Sequence, residues 1–260
     1  MALTKEQREK IKVLLVRKIE NKLKKYGRET SAMPFLARLI QDNEKIASYS
    51  FLHSMATTLG MSIYEEVSVI LCQPYTTEVF RNYGIGGVIS KSQKIVINSI
   101  VNDLINTKGP SSISREIEHI LKASSSGGTF QKSGNIAGLY FLKNGIEHYF
   151  EIKTVKPNND VFEKSKSKLL EWVARKRKNI KVFLVFPYNP YHPEPYSRFT
   201  ENGLMDYGND FLVGKDYWNY IGGKNTFPQL LEVFDEVGKE FKARLRKKFK
   251  EIAKQKIDSY

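Results

Sequence analysis

Apolar residues recur at helical spacing near both ends of the chain. Residues 4–26 place them on one side of a predicted helix, and Thr4 with Gln7 has the spacing of a capping box at its start. Residues 226–256 predict a second amphipathic helix, whose other face is basic. Further helices are predicted over residues 33–41, 49–72 with a break near Gly60, 94–104 and 114–122. The N-terminal region is therefore expected to be helical.

The middle of the chain has the spacing of strands. Residues 135–141 and 146–154 are typical of a hairpin, because Asn144-Gly145 between them favours a type I′ turn. Residues 161–178 predict a helix, and the apolar run 180–186 predicts a further strand. A strand, a helix and a strand at this spacing indicate a crossover to a parallel neighbour. The sequence therefore predicts a mixed sheet.

Three segments are not expected to form regular structure. Four prolines between residues 187 and 196 fix the backbone and remove hydrogen-bond donors. Residues 206–220 are predicted to be irregular, with Trp218 in the core. The glycine-rich segment 84–87 is interpreted as a turn, since no Lys-Ser/Thr follows it and no clear strand precedes it.

The composition is globular and strongly basic. Among 260 residues there are 42 Lys and Arg against 28 Asp and Glu, a formal net charge of +14. This excess indicates a polyanionic partner, either nucleic acid or an anionic membrane. No apolar run reaches membrane-spanning length, no signal-peptide core is present, and the single cysteine excludes a disulfide within the chain. We expect a cytoplasmic protein of one domain, residues 1–260, with a mainly helical part to residue 110, a core at 111–200 and a basic part at 201–260.

Glu151 and Lys153 lie two residues apart in the second predicted strand, so alternation places both side chains on one face. A carboxylate there can hold a divalent cation, and a lysine beside it can orient a water molecule and offset charge on a phosphate. The alternative interpretation is a surface ion pair. No zinc site is indicated, since one cysteine and four scattered histidines lack ligand spacing. The surroundings of the pair must decide.

Those surroundings resemble a known family. A hairpin that carries Glu-x-Lys, followed by a helix and a further strand, resembles the core of the PD-(D/E)XK nucleases. Residues 151–158, 168–172 and 51–65 resemble the TdeIII-type restriction endonucleases. What the resemblance implies is an α/β fold, with a restriction-endonuclease-like mixed sheet flanked by helices and a helical N-terminal region. It also implies a type II restriction endonuclease of a restriction-modification system, which uses Mg²⁺ to hydrolyse double-stranded DNA at a short palindromic site. Because such a site has two equivalent scissile bonds, a homodimer is expected.

The resemblance also implies roles for individual residues. Glu151 and the residue at position 135 would hold Mg²⁺, and Lys153 would position the attacking water. Glu65 would join the catalytic site from a helix beside the sheet. DNA contacts are predicted for Lys156, Asn158, Arg175, Lys176, Arg177 and Lys178.

Position 135 departs from the family pattern, which has an aspartate there. Asn135 can offer a carbonyl oxygen to a metal but no charge, so metal affinity should fall. It lies at the mouth of the hairpin beside Lys153, and a bend near Gly134 is needed to aim it at the same face. Three explanations stay open: a natural variant that uses another carboxylate, a chain altered so that it binds DNA without cutting it, or a turn residue outside the site.

Other glutamates are candidates for the missing carboxylate. Glu65 and Glu66 fall in the first turn of a predicted helix, where acidic residues commonly compensate the helix dipole. Glu116 and Glu118 fall in the helix before the hairpin. Solvent exposure is expected for all four, and the resemblance favours Glu65 as the residue that joins the site.

Two other classes of function stay open. A non-catalytic DNA-binding protein on a degenerate nuclease fold would explain Asn135, but the retention of Glu151 and Lys153 argues against it. A protein of RNA or of membrane surfaces would explain the charge, but RNA-binding and lipid-anchoring sequence patterns are absent.

Overall fold

The computed structural model describes residues 3–26, 34–153, 159–196 and 203–253. Within them the chain forms α1 (Lys5–Lys25), α2 (Pro34–Ile40), α3 (Asn43–Thr58), a π-helical segment (Leu59–Ile63), α4 (Tyr64–Cys72), a 3₁₀ turn (Gln73–Tyr75), β1 (Glu78–Gly84), α5 (Lys91–Ile105), α6 (Ile113–Lys122), β2 (Ile136–Lys143), β3 (Ile146–Ile152), α7 (Asn159–Lys176), β4 (Lys181–Phe186), β5 (Phe211–Val213), α8 (Lys215–Gly222) and α9 (Thr226–Ala253). The chain divides into two compact units. The sheet unit is formed by Ser68–Phe227, and the helical unit by Ala2–Val67 with Pro228–Tyr260.

The sheet unit is built on one mixed sheet whose strands follow chain order, β1-β2-β3-β4-β5. β2 is antiparallel to both β1 and β3, whereas β4 is parallel to β3 and β5 is parallel to β4. Because parallel neighbours cannot be joined by a tight turn, α7 forms the crossover between β3 and β4. The predicted α/β fold, a mixed sheet flanked by helices, is confirmed.

The hairpin of β2 and β3 has the predicted turn. Asn144 and Gly145 have φ angles of 52° and 75°, and positive φ at both central residues defines a type I′ turn. Leu139 pairs with Phe150. This is the register that a two-residue loop of Asn144 and Gly145 gives.

Alternation along β3 directs successive side chains to two different helices. The ring of Tyr149 lies 6.1 Å from that of Trp172 on α7, and the ring of Phe150 lies 6.0 Å from that of Tyr217 on α8. All four side chains are fully buried, and burying each large aromatic stabilises the fold by about 1.5–3 kcal/mol. A slip of one residue would exchange the two faces, so this packing fixes the register of β3. Glu151 therefore follows Tyr149 on the face that α7 covers.

The helical unit has its own apolar cluster and surface ion pairs. Thr4 and Gln7 form the predicted capping box at the start of α1. Phe51 and Ile252 are buried in one cluster with partly buried apolar residues of α1, α3 and α9 around them. Arg8 on α1 lies 2.5 Å from Glu236 on α9.

Across the described parts of both units, no helix combines the length and apolarity needed to span a membrane.

Three local features differ from the sequence-based expectation. A strand does precede the glycine-rich segment, because β1 ends at Gly84; it was missed since most of its residues are exposed and no apolar alternation marks it. A three-residue strand, β5, and most of α8 lie in the segment expected to be irregular. Near Gly60 the helix widens into a π-helical segment instead of breaking. Trp218 is buried at 2% exposure, as predicted.

Candidate active site

Glu151 lies near the carboxyl end of β3, and its side chain is only 8% exposed. Its two oxygens contact two different ammonium groups. Oε1 lies 2.8 Å from Nζ of Lys153, and Oε2 accepts a hydrogen bond of 2.6 Å from Nζ of Lys168 on α7. The backbone N–H of Lys153 donates to the carbonyl of Val185 on β4. The sheet therefore holds the Glu-x-Lys segment in place, with both side chains on one face as alternation predicts.

Lys168 is a residue of this site to which the sequence assigns no role. Its Nζ lies 5.3 Å from the ring centroid of Trp172, one turn further along α7. The side chains of Lys153 and Lys168 are 43% and 22% exposed, so a ligand can reach both. Two ammonium groups beside one carboxylate leave an excess of positive charge, which favours a phosphodiester.

The turn that leads into β2 carries Asn135. Gly134 before it has a φ of 73°, a left-handed conformation that glycine adopts without strain. The carbonyl of Gly134 accepts a 2.7 Å hydrogen bond from Nε1 of Trp172, and the carbonyl of Asn135 accepts one of 2.6 Å from the backbone N–H of Ile85. A bend is therefore present at Gly134, and that it aims the side chain of Asn135 at the face of Glu151 stays a prediction. The bend is held by α7 on one side and by the segment after β1 on the other.

A second carboxylate lies beside this turn. A Cβ placed on Gly134 would be 3.3 Å from Oε2 of Glu171 and 3.8 Å from Cγ of Lys168. Glu171 has a side chain 12% exposed and pairs with Lys94 of α5. Residues three apart in a helix lie on one side of it, so Lys168 and Glu171 both approach the turn. The sequence spacing of Lys168 and Glu171 predicts that they share one side of α7. It does not predict that this side faces β3, which the structure shows.

The oxygen donors around Glu151 and the turn can be compared with the needs of a metal ion. Within residues 3–26, 34–153, 159–196 and 203–253, no group of three or more His, Cys, Asp or Glu is arranged to hold one. Mg²⁺ usually keeps several waters and takes one or two carboxylates together with substrate phosphate oxygens. The carboxylates of Glu151 and Glu171 and the amide oxygen of Asn135 are hard donors of this kind. By their chemistry these donors suit Mg²⁺, which would have to replace the ammonium groups that now contact the two carboxylates.

Most of the chain also matches a known family. The model of the family "Type II restriction endonuclease, HinfI" matches residues 3–238. The chain belongs to the HinfI family of type II restriction endonucleases. Its curated relatives include the type II restriction enzyme HgiEI of Herpetosiphon aurantiacus, which is 27% identical over 239 residues, 88% of this chain and 86% of the relative. Another is the type II restriction enzyme MjaII of Methanocaldococcus jannaschii, 27% identical over 213 residues, 75% of this chain and 56% of the relative. No solved structure matches the chain.

The HinfI match agrees with the sequence-based resemblance at the level of type II restriction endonucleases. The resemblance named TdeIII-type enzymes, whereas the family that matches is HinfI. Membership in a restriction endonuclease family implies DNA binding and a place in restriction-modification.

The two glutamates of α4 belong to the helical unit of this HinfI-family chain. Glu65 and Glu66 both lie in the first turn of α4. Glu66 lies 2.7 Å from Nζ of Lys18 on α1. Both glutamates are half-buried, so the expectation of full exposure is wrong for them. The role that the resemblance gives Glu65 stays a prediction.

The two glutamates of α6 have opposite environments. Glu118 is exposed, as expected, and pairs with Lys122 at 2.5 Å. Glu116 is buried, so the expectation that it is exposed is wrong. Its burial is possible because Nζ of Lys166 lies 2.5 Å from its Oε2 and neutralises its charge. Glu116 therefore belongs to an ion cluster in the interior of the sheet unit.

That cluster is centred on Lys166 of α7. Its ammonium group lies 2.6 Å from Oδ2 of Asp210, and both side chains are fully buried. Burial alone would lower the pKa of Lys166, but Asp210 and Glu116 outweigh that effect and raise its pKa. Burial raises the pKa of Asp210 to about 6, against the lowering effect of Lys166. The cluster ties α7 to α6 and to the loop before β5, and so fixes the helix that carries Lys168 and Glu171.

Arg175, near the end of α7, does not form a free basic surface. It is buried, and its guanidinium donates hydrogen bonds to the carbonyls of Gly87 at 3.2 Å and Gln131 at 2.8 Å. Burial lowers the pKa of Arg175. Two of its guanidinium nitrogens thus bind carbonyls of the loops around it, and its contact with DNA stays a prediction.

The other predicted DNA contacts have different surroundings. Lys176 and Lys178 lie 3.2 Å and 3.3 Å from the carboxylate of Glu147, and Arg177 is exposed. Their contact with DNA stays a prediction. Lys156 and Asn158 lie outside the described residues.

Proposed function

We propose that this chain is a Mg²⁺-dependent type II restriction endonuclease with a PD-(D/E)XK site formed by Glu151, Lys153 and position 135. One observation carries the proposal: Glu151 contacts Lys153 at the end of a central strand, in a chain of a restriction endonuclease family. The burial of Glu151 and its second ammonium partner, Lys168, argue against an ordinary surface ion pair. The proposed reaction is hydrolysis of phosphodiester bonds in double-stranded DNA at a short palindromic site.

Each residue has a task in this proposal. Glu151 and the amide oxygen of Asn135 would hold Mg²⁺, and the bound ion would supply Lewis-acid stabilisation of the charge that develops on the phosphate. The side chain of Lys153 is 43% exposed, so its ammonium group can contact the water molecule that attacks the phosphate. Its ammonium orients that water and offsets charge on the phosphate oxygens.

A two-fold homodimer is part of the same proposal. A palindromic duplex presents two equivalent scissile bonds, so two copies of one site cut both strands with a single arrangement of contacts. The net charge of +14 supports DNA binding, because phosphate contacts by Lys and Arg supply most of the sequence-independent affinity.

A non-catalytic DNA-binding protein is the second candidate function, and Asn135 is the observation that favours it. Replacing an anionic ligand by an amide weakens the binding of hard cations. A chain with the fold and the basic charge intact would then bind DNA without cutting it. The retained contact between Glu151 and Lys153 favours the enzyme.

The substitutions Glu151→Ala and Lys153→Ala test the proposed site. Each should lower Mg²⁺-dependent cleavage by about 10²–10⁴-fold, because it removes a metal ligand or the group that orients water. DNA affinity should change little, since phosphate contacts elsewhere dominate it. The assay is gel-resolved cleavage beside fluorescence-anisotropy binding, in the parent and in an Asn135→Asp background.

Glu118→Ala is the matched control, because Glu118 also pairs with a lysine but is exposed. It should leave cleavage unchanged. Undiminished cleavage by Glu151→Ala or by Lys153→Ala would show that the pair takes no part in the reaction.

A further inference from the structure

The turn before β2 and one side of α7 are fixed to each other. Trp172 donates a hydrogen bond from Nε1 to the carbonyl of Gly134 at 2.7 Å. Glu171 is the neighbour of Trp172 in the chain. Its Oε2 lies 3.3 Å from the point that a Cβ atom would occupy if Gly134 had a side chain. Gly134 directly precedes Asn135, the position where an aspartate was expected. A carboxylate of α7 therefore lies beside the residue that directly precedes Asn135.

The same side of α7 also reaches Glu151. Lys168, three residues before Glu171, donates a hydrogen bond of 2.6 Å to Oε2 of Glu151. A Cβ on Gly134 would be 3.8 Å from Cγ of Lys168. Glu151, the turn at Gly134 and Glu171 are thus linked through a single turn of helix.

Each of the two carboxylates is largely buried and kept beside ammonium groups. The side chains of Glu151 and Glu171 are 8% and 12% exposed. Lys153 and Lys168 contact Glu151, and Lys94 contacts Glu171. A buried carboxylate requires such a partner, because burial without one is strongly unfavourable. A divalent cation that binds these oxygens must displace ammonium groups from them.

We infer that Glu171 is a second carboxylate for the divalent cation of the site and replaces part of the negative charge that Asn135 lacks. Lys94 and Lys168 act as the counterions of Glu171 and Glu151 in the cation-free protein. This inference rests on the proposed function. Two opposite effects on metal affinity follow from it. Removing the charge of Glu171 weakens cation binding, and removing the competing charge of Lys94 strengthens it.

Isothermal titration of Mn²⁺ into the full chain without DNA measures these effects independently of cleavage. Glu171→Gln should lower the affinity at least about tenfold, whereas Lys94→Met should raise it several-fold. Glu118→Gln and Lys122→Met are matched controls, because they change the same residue types in an exposed pair of α6. Both controls should bind Mn²⁺ as the parent does. The rise in thermal unfolding temperature with Mn²⁺ should be smaller in Glu171→Gln, since a ligand stabilises only as much as it binds.

Unchanged Mn²⁺ affinity in Glu171→Gln overturns the inference. If Glu171→Gln fails to fold, Lys94→Met decides: a raised affinity supports the inference, and an unchanged affinity overturns it. A parent chain that takes up no Mn²⁺ also overturns it. Failure of the proposed function has a different signature, because cleavage would then survive Glu151→Ala whatever the metal titration shows.

Discussion

Replacing Lys166 by methionine should destabilise the sheet unit by about 3–5 kcal/mol. The ammonium group lies 2.6 Å from Asp210 and 2.5 Å from Glu116. Methionine keeps much of the volume of lysine but removes the cation. Two buried carboxylates then lose their neutralising partner, which costs far more than the loss of a surface ion pair.

Asp210 and Glu116 also accept hydrogen bonds from backbone groups, so the loss of stability should lie near the lower end of the range of about 3–5 kcal/mol. Oδ1 of Asp210 accepts a 2.7 Å hydrogen bond from the backbone N–H of Asp206, and Oε1 of Glu116 accepts one of 3.0 Å from the N–H of Ser112. These donors remain in the variant. A loss of about 3 kcal/mol corresponds to a fall in Tm of about 6–12 °C for a protein of this size.

The loss should depend on pH. Burial raises the pKa of Asp210 to about 6 from an ordinary value of 3.8. A carboxyl group with a raised pKa in the folded state binds its proton more tightly there, so its contribution to stability falls as the pH rises from about 4 to about 6. Without Lys166 the pKa of this carboxyl rises further. The destabilisation should therefore be larger at pH 7 than at pH 5.

Urea unfolding followed by circular dichroism at both pH values measures this effect. The control Lys122→Met, in an exposed pair, should change the free energy of unfolding by less than about 0.5 kcal/mol. Adding Asp210→Asn to Lys166→Met removes an unpaired charge and should recover part of the loss. A loss below about 1 kcal/mol at pH 7, or an equal loss at pH 5 and pH 7, would refute the reasoning.

Two further experiments have defined outcomes. DNA affinity measured by fluorescence anisotropy should fall with salt, at a slope of log K against log salt of about −0.9 per phosphate contact, and a flat titration would contradict binding through the basic residues. Gly87→Ala should lower the free energy of unfolding by about 1–3 kcal/mol, because Gly87 has a φ of 102° and the new Cβ would be 2.3 Å from the carbonyl oxygen of Arg175. Gly109→Ala, with no atom within 4 Å of its Cβ position, is the control in urea unfolding; equal losses in the two variants would count against this explanation.

Local spacing was sufficient to predict the centre of the fold. The Asn144-Gly145 turn fixes the hairpin register through two residues, and the crossover follows from the lengths of one helix and its flanking strands. β1 could not be predicted in the same way, since an exposed edge strand gains its structure from pairing with β2 and carries no apolar alternation. β5 has three residues, too few for a periodic pattern.

The candidate site was predictable only where one strand holds its residues. Glu151 and Lys153 lie on the same face, and the alternation of side chains along a strand is enough to predict this. Lys168 and Glu171 come from α7, and the rotation of α7 over β3 is set by packing such as that of Trp172 against Tyr149. Arg175 lies in a run of basic residues that indicates an exposed helix end, yet carbonyl groups distant in sequence surround it. Such contacts are tertiary, so the sequence pattern does not contain them.

Site-specific cleavage by the chain and by Asn135→Asp tests the central claim most directly. Both are incubated with plasmid DNA and Mg²⁺ or Mn²⁺, and the fragment ends are sequenced. The account predicts discrete fragments that end at one short palindromic sequence, with cleavage by Asn135→Asp faster by orders of magnitude, because the aspartate restores an anionic ligand without changing side-chain size. Equal cleavage by both chains would show that position 135 holds no metal. Failure of both chains to cut DNA with either cation would contradict the assignment of this site as a nuclease and favour the non-catalytic DNA-binding protein.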